Sequence, residues 1–142
     1  MKISKAQAVW TGNLKEGSGQ MSFDRSGISF PFSFKSRFEN GDGANPEMLI
    51  GAAHAGCFSM AFAATLTEQG YTPGKISTAA EIKLDSSDDG MRIVSSHLTT
   101  EAEVDGIDEE TFLKIAAQAK EGCPVSRALG TVQITLDARL KK

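Results

Sequence analysis

The stretch from Asn45 to Gly70, NPEMLIGAAHAGCFSMAFAATLTEQG, constrains the fold more than any other part of the chain. Asn45 is a fitting N-cap, Pro46 suits the first helical position, and Glu47 sits where the helix dipole favours an acid. Apolar and small residues continue to about Gln69, and Gly70 and Pro73 stop the helix. Almost no polar face interrupts them, which marks a helix buried on all sides. A membrane span has similar length, but Gly51, His54, Gly56 and Ser59 fall inside this one and no basic residues flank it. A buried helix is the better reading. A single domain of 142 residues struggles to wrap such a helix, whereas two copies that pack their helices together do not. An obligate homodimer is expected.

Strand patterns surround the helix. Ala6 to Gly12 and Ser18 to Phe23 are short candidates. Ile28, Phe30, Phe32 and Phe34 then alternate with polar residues and Pro31, a period-two pattern with one apolar face. Pro31 cannot donate to a ladder, so this strand belongs at an edge or carries a bulge. A loop SRFENGDGA leads into the long helix. Beyond it, Lys75 to Leu84 and Met91 to Val104 read as two strands. Ile93 is out of phase in the second, which predicts a bulge. A helix from Asp108 to Gly122 buries Phe112, Ile115, Ala116 and Ala119. Pro124 opens a short helix ending near Gly130, and Val132 to Leu140 closes the chain as a strand. The order β-β-β-α-β-β-α-α-β has no repeated βαβ unit, so the class is α+β, one domain over residues 1–142.

The net charge of −3 and the lack of a basic run argue against nucleic acid and anionic membrane as partners. The N-terminus MKISKAQAVWTG has no apolar core of a signal peptide. Two cysteines are too few for a secreted disulfide scaffold, so a cytoplasmic protein with reduced thiols is expected.

Those cysteines carry the chemical question. Cys57 lies about a turn past His54 on the apolar helix, where a cysteine is by itself commonly a small packing residue, and His54 a satisfied core histidine. The small neighbours Ala53 and Gly56 suggest close approach of another helix or a ligand. Cys123 precedes Pro124 and so takes an N-cap-like position. Free N–H groups and the helix dipole favour a thiolate there, open to exchange. Cys57, Cys123, His54 and His97 lack zinc-ligand spacing, and no metal site is expected. No P-loop, dinucleotide fingerprint, flavin or haem motif appears, so no cofactor is expected. Nothing local supports a Cys–His hydrolase. Two-cysteine redox chemistry remains.

NPEMLIGAAHAGCFSMA, GCPVSRAL, SRFE and ITLDARL together resemble the OsmC branch of the OsmC/Ohr hydroperoxide reductases, along essentially the whole chain. The resemblance implies an OsmC-like α+β fold, with antiparallel sheets around long buried central helices in an intertwined homodimer. It implies that Cys57 is the peroxidatic thiol and Cys123 the resolving one. The Cys57 thiolate attacks the O–O bond of an organic hydroperoxide, an alcohol leaves, and the sulfenic acid condenses with Cys123 to a disulfide. A thiol reductant, in this family dihydrolipoamide or a lipoylated protein, then reopens it.

A buried thiol alone has a raised pKa, so it needs a cation. The resemblance assigns that part to Arg37, held by a bidentate pair with Glu47. Without it, Arg37 reads as a solvated loop arginine and Glu47 as compensation for the helix dipole. Glu47 and Cys57 are ten residues apart on one helix, hence about 15 Å apart along its axis. A shared site therefore takes Glu47 from the partner, with antiparallel helices and two equivalent interface sites. Phe30, Phe32, Phe34, Phe38, Phe58 and Met60 are available as apolar lining, which would favour organic hydroperoxides over hydrogen peroxide. Two other readings use the same residues: a redox sensor without turnover, and a dimer that binds a small apolar ligand.

Overall fold

A computed structural model describes residues 1–142. The elements run β1 (Ala6–Thr11), β2 (Ser18–Phe23), β3 (Ser29–Phe32), α1 (Phe34–Phe38), α2 (Pro46–Glu68), β4 (Pro73–Ser87), β5 (Gly90–Val104), α3 (Glu109–Gly122), α4 (Pro124–Ala128) and β6 (Gln133–Lys141). The α+β class holds. The chain forms two compact units, Met1–Leu49 and Ile50–Lys142.

The first unit is a three-stranded antiparallel sheet in the order β1-β2-β3, with α1 after it. Pro31 lies on β3, at the sheet edge as its missing N–H requires, and its carbonyl accepts from the Ala44 N–H at 2.8 Å. Trp10, Gly19 and Phe32 are in register across the three strands. Gly19 is needed there: a Cβ would lie 2.6 Å from the Phe32 ring, which instead meets Trp10 at a centroid distance of 5.2 Å.

The Phe-rich alternation stops sooner than its pattern predicts. Phe34 belongs to α1, because Ser33 and Ser36 form a capping box. The Ser36 N–H donates to Ser33 Oγ at 3.2 Å and the Ser33 N–H donates to Ser36 Oγ at 2.9 Å. The loop predicted over SRFENGDGA therefore begins with a helical turn.

In the second unit β4 and β5 form a long antiparallel hairpin, and β6 joins β5 in parallel. The expectation of purely antiparallel sheets fails here. The crossover through α3 and α4 returns the chain to the end of β5 where it started, which dictates a parallel pair. The bulge is found: Lys83 faces Ser95 but Leu84 faces Ile93, leaving Val94 as the extra residue.

The core packs α2 and α3 over this sheet. Phe58, Phe62, Leu66, Leu98, Phe112 and Ile115 are all fully buried. Each contributes roughly 1.5–3 kcal/mol by leaving water. Gly51 lets α2 approach β4: a Cβ there would sit 3.3 Å from Ile82 Cγ1 and 3.5 Å from the Ala80 carbonyl oxygen. The burial of α2 differs from expectation. Gly51, His54, Phe58, Phe62 and Leu66 make one buried stripe at helical spacing, while Met48, Ala52, Ala53, Gly56, Met60 and Ala64 are exposed. Gly56 has nothing near it that a Cβ would meet, so its smallness is not used within this chain. One chain supplies core for only one side of the helix.

Candidate active site

The first unit holds an ion pair. Asn45 caps α2 by accepting from the Met48 N–H at 2.8 Å, and its amide donates to the Ser36 carbonyl at 2.9 Å. The Ser36 hydroxyl donates to the Ala44 carbonyl at 2.7 Å. These bonds tie α1 to the start of α2 and set Arg37 against Glu47. Arg37 Nε and Nη2 both donate to Glu47 Oε1, at 3.2 and 2.9 Å. The pairing is two donors onto one oxygen, rather than the two-oxygen fork predicted. Glu47 is buried and the Arg37 side chain is 38% exposed, with its guanidinium 5.3 Å from the Phe38 ring centroid. Arg37 is thus a positioned cation and not a loose loop arginine.

Beside it lies a cleft of about 260 Å³ lined by Trp10, Leu14, Phe32, Phe34, Arg37 and Phe38. Phe32, Phe34 and Phe38 from the predicted lining are here. Phe30 instead packs against Phe23, Phe58 is core of the second unit, and Met60 lies on the exposed face of α2.

The second unit holds the thiols. Cys57 on α2 and Cys123 between α3 and α4 are both free and lie next to each other. Their exposures reverse the expectation: Cys123 is fully buried and Cys57 half-buried. Cys123 loses its access because the α3–α4 junction folds onto α2. It ends α3 and is the N-cap of α4, without a side-chain capping hydrogen bond. Burial opposes its ionisation. The nearby Cys57 thiol, the Ser126 N–H and hydroxyl, and the Val125 N–H outweigh that and draw Cys123 below the ordinary thiol value. For Cys57, burial pushes the thiol up, and the Cys123 sulfur adds to it against the Val125 N–H. Within a single chain Cys123 is thus the more acidic of the two thiols.

His54 is fully buried one turn before Cys57. Its Nδ1 is 2.6 Å from Ser96 Oγ on β5 and its Nε2 is 2.8 Å from Ser126 Oγ on α4. It is the satisfied buried histidine expected. Ser96 and Ser126 were not foreseen, although Ser126 stands three residues after Cys123, the N3 spacing that brings a side chain back to its N-cap.

Burial lowers the His54 pKa from 6.5. Above about pH 6.5 the ring is neutral folded and unfolded, and stability is full. As pH falls below that value the unfolded chain takes up a proton first, so stability declines until the lower folded pKa is reached. Urea unfolding at pH 7.5 and 5.5 should show wild type losing more stability on acidification than His54→Gln.

The OsmC-like protein family model matches residues 39–137. The chain is 49% identical over 139 residues, 96% of either chain, to peroxiredoxin OsmC of Escherichia coli. It is 29% identical over 130 residues, 90% of this chain and 89% of the other, to organic hydroperoxide resistance protein OhrB of Bacillus subtilis. A solved OsmC-like protein from Mycoplasma pneumoniae shares the fold at a TM-score of 0.77, covering 99% of both chains at 16% identity. Fold, motifs and overall identity agree, and the chain belongs to the OsmC family.

Proposed function

We propose that this protein is a thiol-dependent peroxidase that reduces organic hydroperoxides, with Cys57 as the attacking sulfur and Cys123 as the resolving one. The observation that carries the reading is the contact between these two free thiols, brought together from distant parts of the chain with only Cys57 reachable from solvent. The Cys57 thiolate takes the distal oxygen of ROOH, the O–O bond breaks, and RO⁻ leaves with a proton as the alcohol. Cys57 sulfenic acid and the Cys123 thiol then form a disulfide and release water. A dithiol of the dihydrolipoamide type, free or carried on a lipoylated protein, returns both cysteines to thiols by exchange.

The lower pKa of Cys123 favours a second reading, in which Cys123 attacks. Access argues against it, because a peroxide cannot react with a sulfur it cannot reach. Cys57 needs a cation to ionise, and we infer that Arg37, held by Glu47, supplies it to the partner's sulfur. Three features support a homodimer with two such sites: the exposed apolar face of α2, the ten-residue spacing of Glu47 and Cys57, and the raised pKa of Cys57 within one chain. In this reading residues 1–142 act as one OsmC-like domain. The apolar cleft beside Arg37 would bind the organic tail, so hydrogen peroxide is the poorer substrate. A cycle of free thiols and a thiol reductant suits a soluble protein of the cytoplasm.

Removing a preorganised charge that stabilises a developing anion costs about 10²-fold or more. Arg37→Ala should therefore lower kcat/KM for cumene hydroperoxide by about 100-fold. Glu47→Gln should cost less, because the arginine stays but loses its anchor. Wild-type rates in Arg37→Ala, from steady-state peroxide consumption with dihydrolipoamide, would remove Arg37 from the mechanism.

A further inference from the structure

A thiol reductant opens a disulfide at one sulfur or the other, and the choice follows access and the ease with which each thiol leaves. The two sulfurs of this chain are not equivalent. Cys123 is 0% exposed and belongs to the core cluster with Phe112, Ile115, Ala116 and Ala119 of α3. It ends α3 and caps α4, so its sulfur cannot swing outward without unwinding a helix end. Cys57 stands in the middle of α2, packed against the same cluster but only partly buried. A cleft of about 310 Å³ does open at the α3–α4 junction, lined by Lys120, Ser126, Arg127, Gly130, Val132 and Ile134. Cys123 is not part of its wall, and Ser126, which is, is itself buried.

We propose that the reductant opens the disulfide at Cys57, with Cys123 as the leaving group, so that Cys123 never bonds to any molecule outside its own chain. The inference rests on the thiol-peroxidase reading and deepens it by naming the point where the reductant enters. One thiolate of the dithiol attacks the Cys57 sulfur. A bond forms between them, the Cys57–Cys123 bond breaks, and its electron pair leaves on Cys123. The second thiolate of the dithiol then attacks its neighbour's sulfur in the mixed disulfide and expels Cys57. The dithiol ends as a cyclic disulfide, and its two protons end on Cys57 and Cys123, so the exchange balances without another reagent. The more acidic thiol leaves faster, and the lowered pKa of Cys123 therefore favours the same direction.

This geometry also accounts for the kind of reductant required. After the first attack Cys123 is a thiolate held beside the mixed disulfide on Cys57, and it re-attacks and expels a monothiol. A second free monothiol has to arrive before that happens. A dithiol carries its second sulfur with it, at a local concentration that a free thiol does not reach.

The test makes the disulfide with diamide, which needs no peroxide. The oxidised protein is mixed briefly with 2-mercaptoethanol and quenched in acid, and its free thiols are capped with N-ethylmaleimide for peptide mapping by mass spectrometry. The mercaptoethanol adduct should be on Cys57 and the maleimide on Cys123. An adduct on Cys123, alone or in equal share, overturns the proposal and means that the α3–α4 junction opens to the reductant. Returned to neutral pH free of mercaptoethanol, the Cys57 adduct should lose its thiol and re-form the disulfide; a stable adduct overturns the explanation of the dithiol requirement. Where re-attack is too fast for an adduct to be caught, the single-cysteine variants decide. Cys57→Ser, whose remaining thiol is Cys123, should react with methyl methanethiosulfonate about 100-fold more slowly than Cys123→Ser, because a fully buried sulfur reacts only when the chain opens locally. Comparable rates overturn the proposal. Failure of the peroxidase reading looks different: the disulfide made by diamide still opens at Cys57, while wild type with dihydrolipoamide consumes no cumene hydroperoxide.

Discussion

Cys57→Ser should bring hydroperoxide consumption down to the background of the reductant alone. The expectation is this complete because the remaining thiol cannot substitute. Cys123 is more acidic within the chain, but it is fully buried, and acidity without access gives no reaction. Serine keeps the size of the side chain and loses the nucleophile, so the fold should be unaffected. Cys123→Ser should behave differently. It should complete one oxidation of Cys57 and then stall as sulfenic acid, or pass to sulfinic acid under excess oxidant. Intact mass after one limiting dose of cumene hydroperoxide distinguishes the two variants. Sustained turnover by Cys57→Ser would move the attack to Cys123 and defeat the assignment. Reversible disulfide formation in wild type, with no catalytic consumption, would instead favour a redox sensor.

Phe62→Ala should destabilise the chain by about 3–5 kcal/mol, the range for deleting a buried phenyl ring. Phe62 is fully buried at the centre of the second unit. Its ring lies 5.5 Å from that of Phe58 one turn earlier and meets Phe112 of α3 edge-on at 5.3 Å. It therefore joins α2 to α3, and alanine would lose both aromatic contacts and leave a cavity. Urea unfolding followed by far-ultraviolet circular dichroism measures this. A loss below about 1 kcal/mol would mean that the neighbours collapse into the gap, and that the α2–α3 seam is looser than its packing indicates.

These two residues were legible in the sequence to different degrees. Phe62 falls on the helical stripe with Phe58 and Leu66, a pattern visible without any partner. The Asn45 cap and the stop at Gly70, with its positive φ of 90°, are equally local, and both were read correctly, whereas Asp108, read as the start of its helix, is the cap before it and accepts from the Thr111 N–H. The bulge at Val94 was visible as a break in phase.

The contact between Cys57 and Cys123 was a different matter. No spacing rule joins such distant residues, and only the likeness of whole motifs to a known family suggested it. Ser96 and Ser126 escaped notice because a lone serine carries no signal until its partner is known. The capping box at Ser33 and Ser36 was hidden beneath the stronger FPFSF alternation, and the parallel placement of β6 depends on a partner strand far earlier in the chain. Composition showed that α2 needs cover on all sides, but one chain's own residues supply only half of it.

The backbone at Cys123 is held from both directions. Its N–H donates to the Ala119 carbonyl at 3.0 Å and its carbonyl accepts from the Arg127 N–H at 3.1 Å, so the last turn of α3 and the first of α4 both grip the same residue. Many thiol switches must melt a helical turn before distant sulfurs can meet, and the speed of melting then limits how fast they close. Here the two thiols already lie side by side, and side-chain rotation brings them into bonding position. Amide hydrogen exchange at the α3–α4 junction should therefore be nearly the same in the reduced and oxidised protein. The switch would work by torsion about single bonds, without local unfolding, and would leave a partly oxidised intermediate little time to meet a second peroxide.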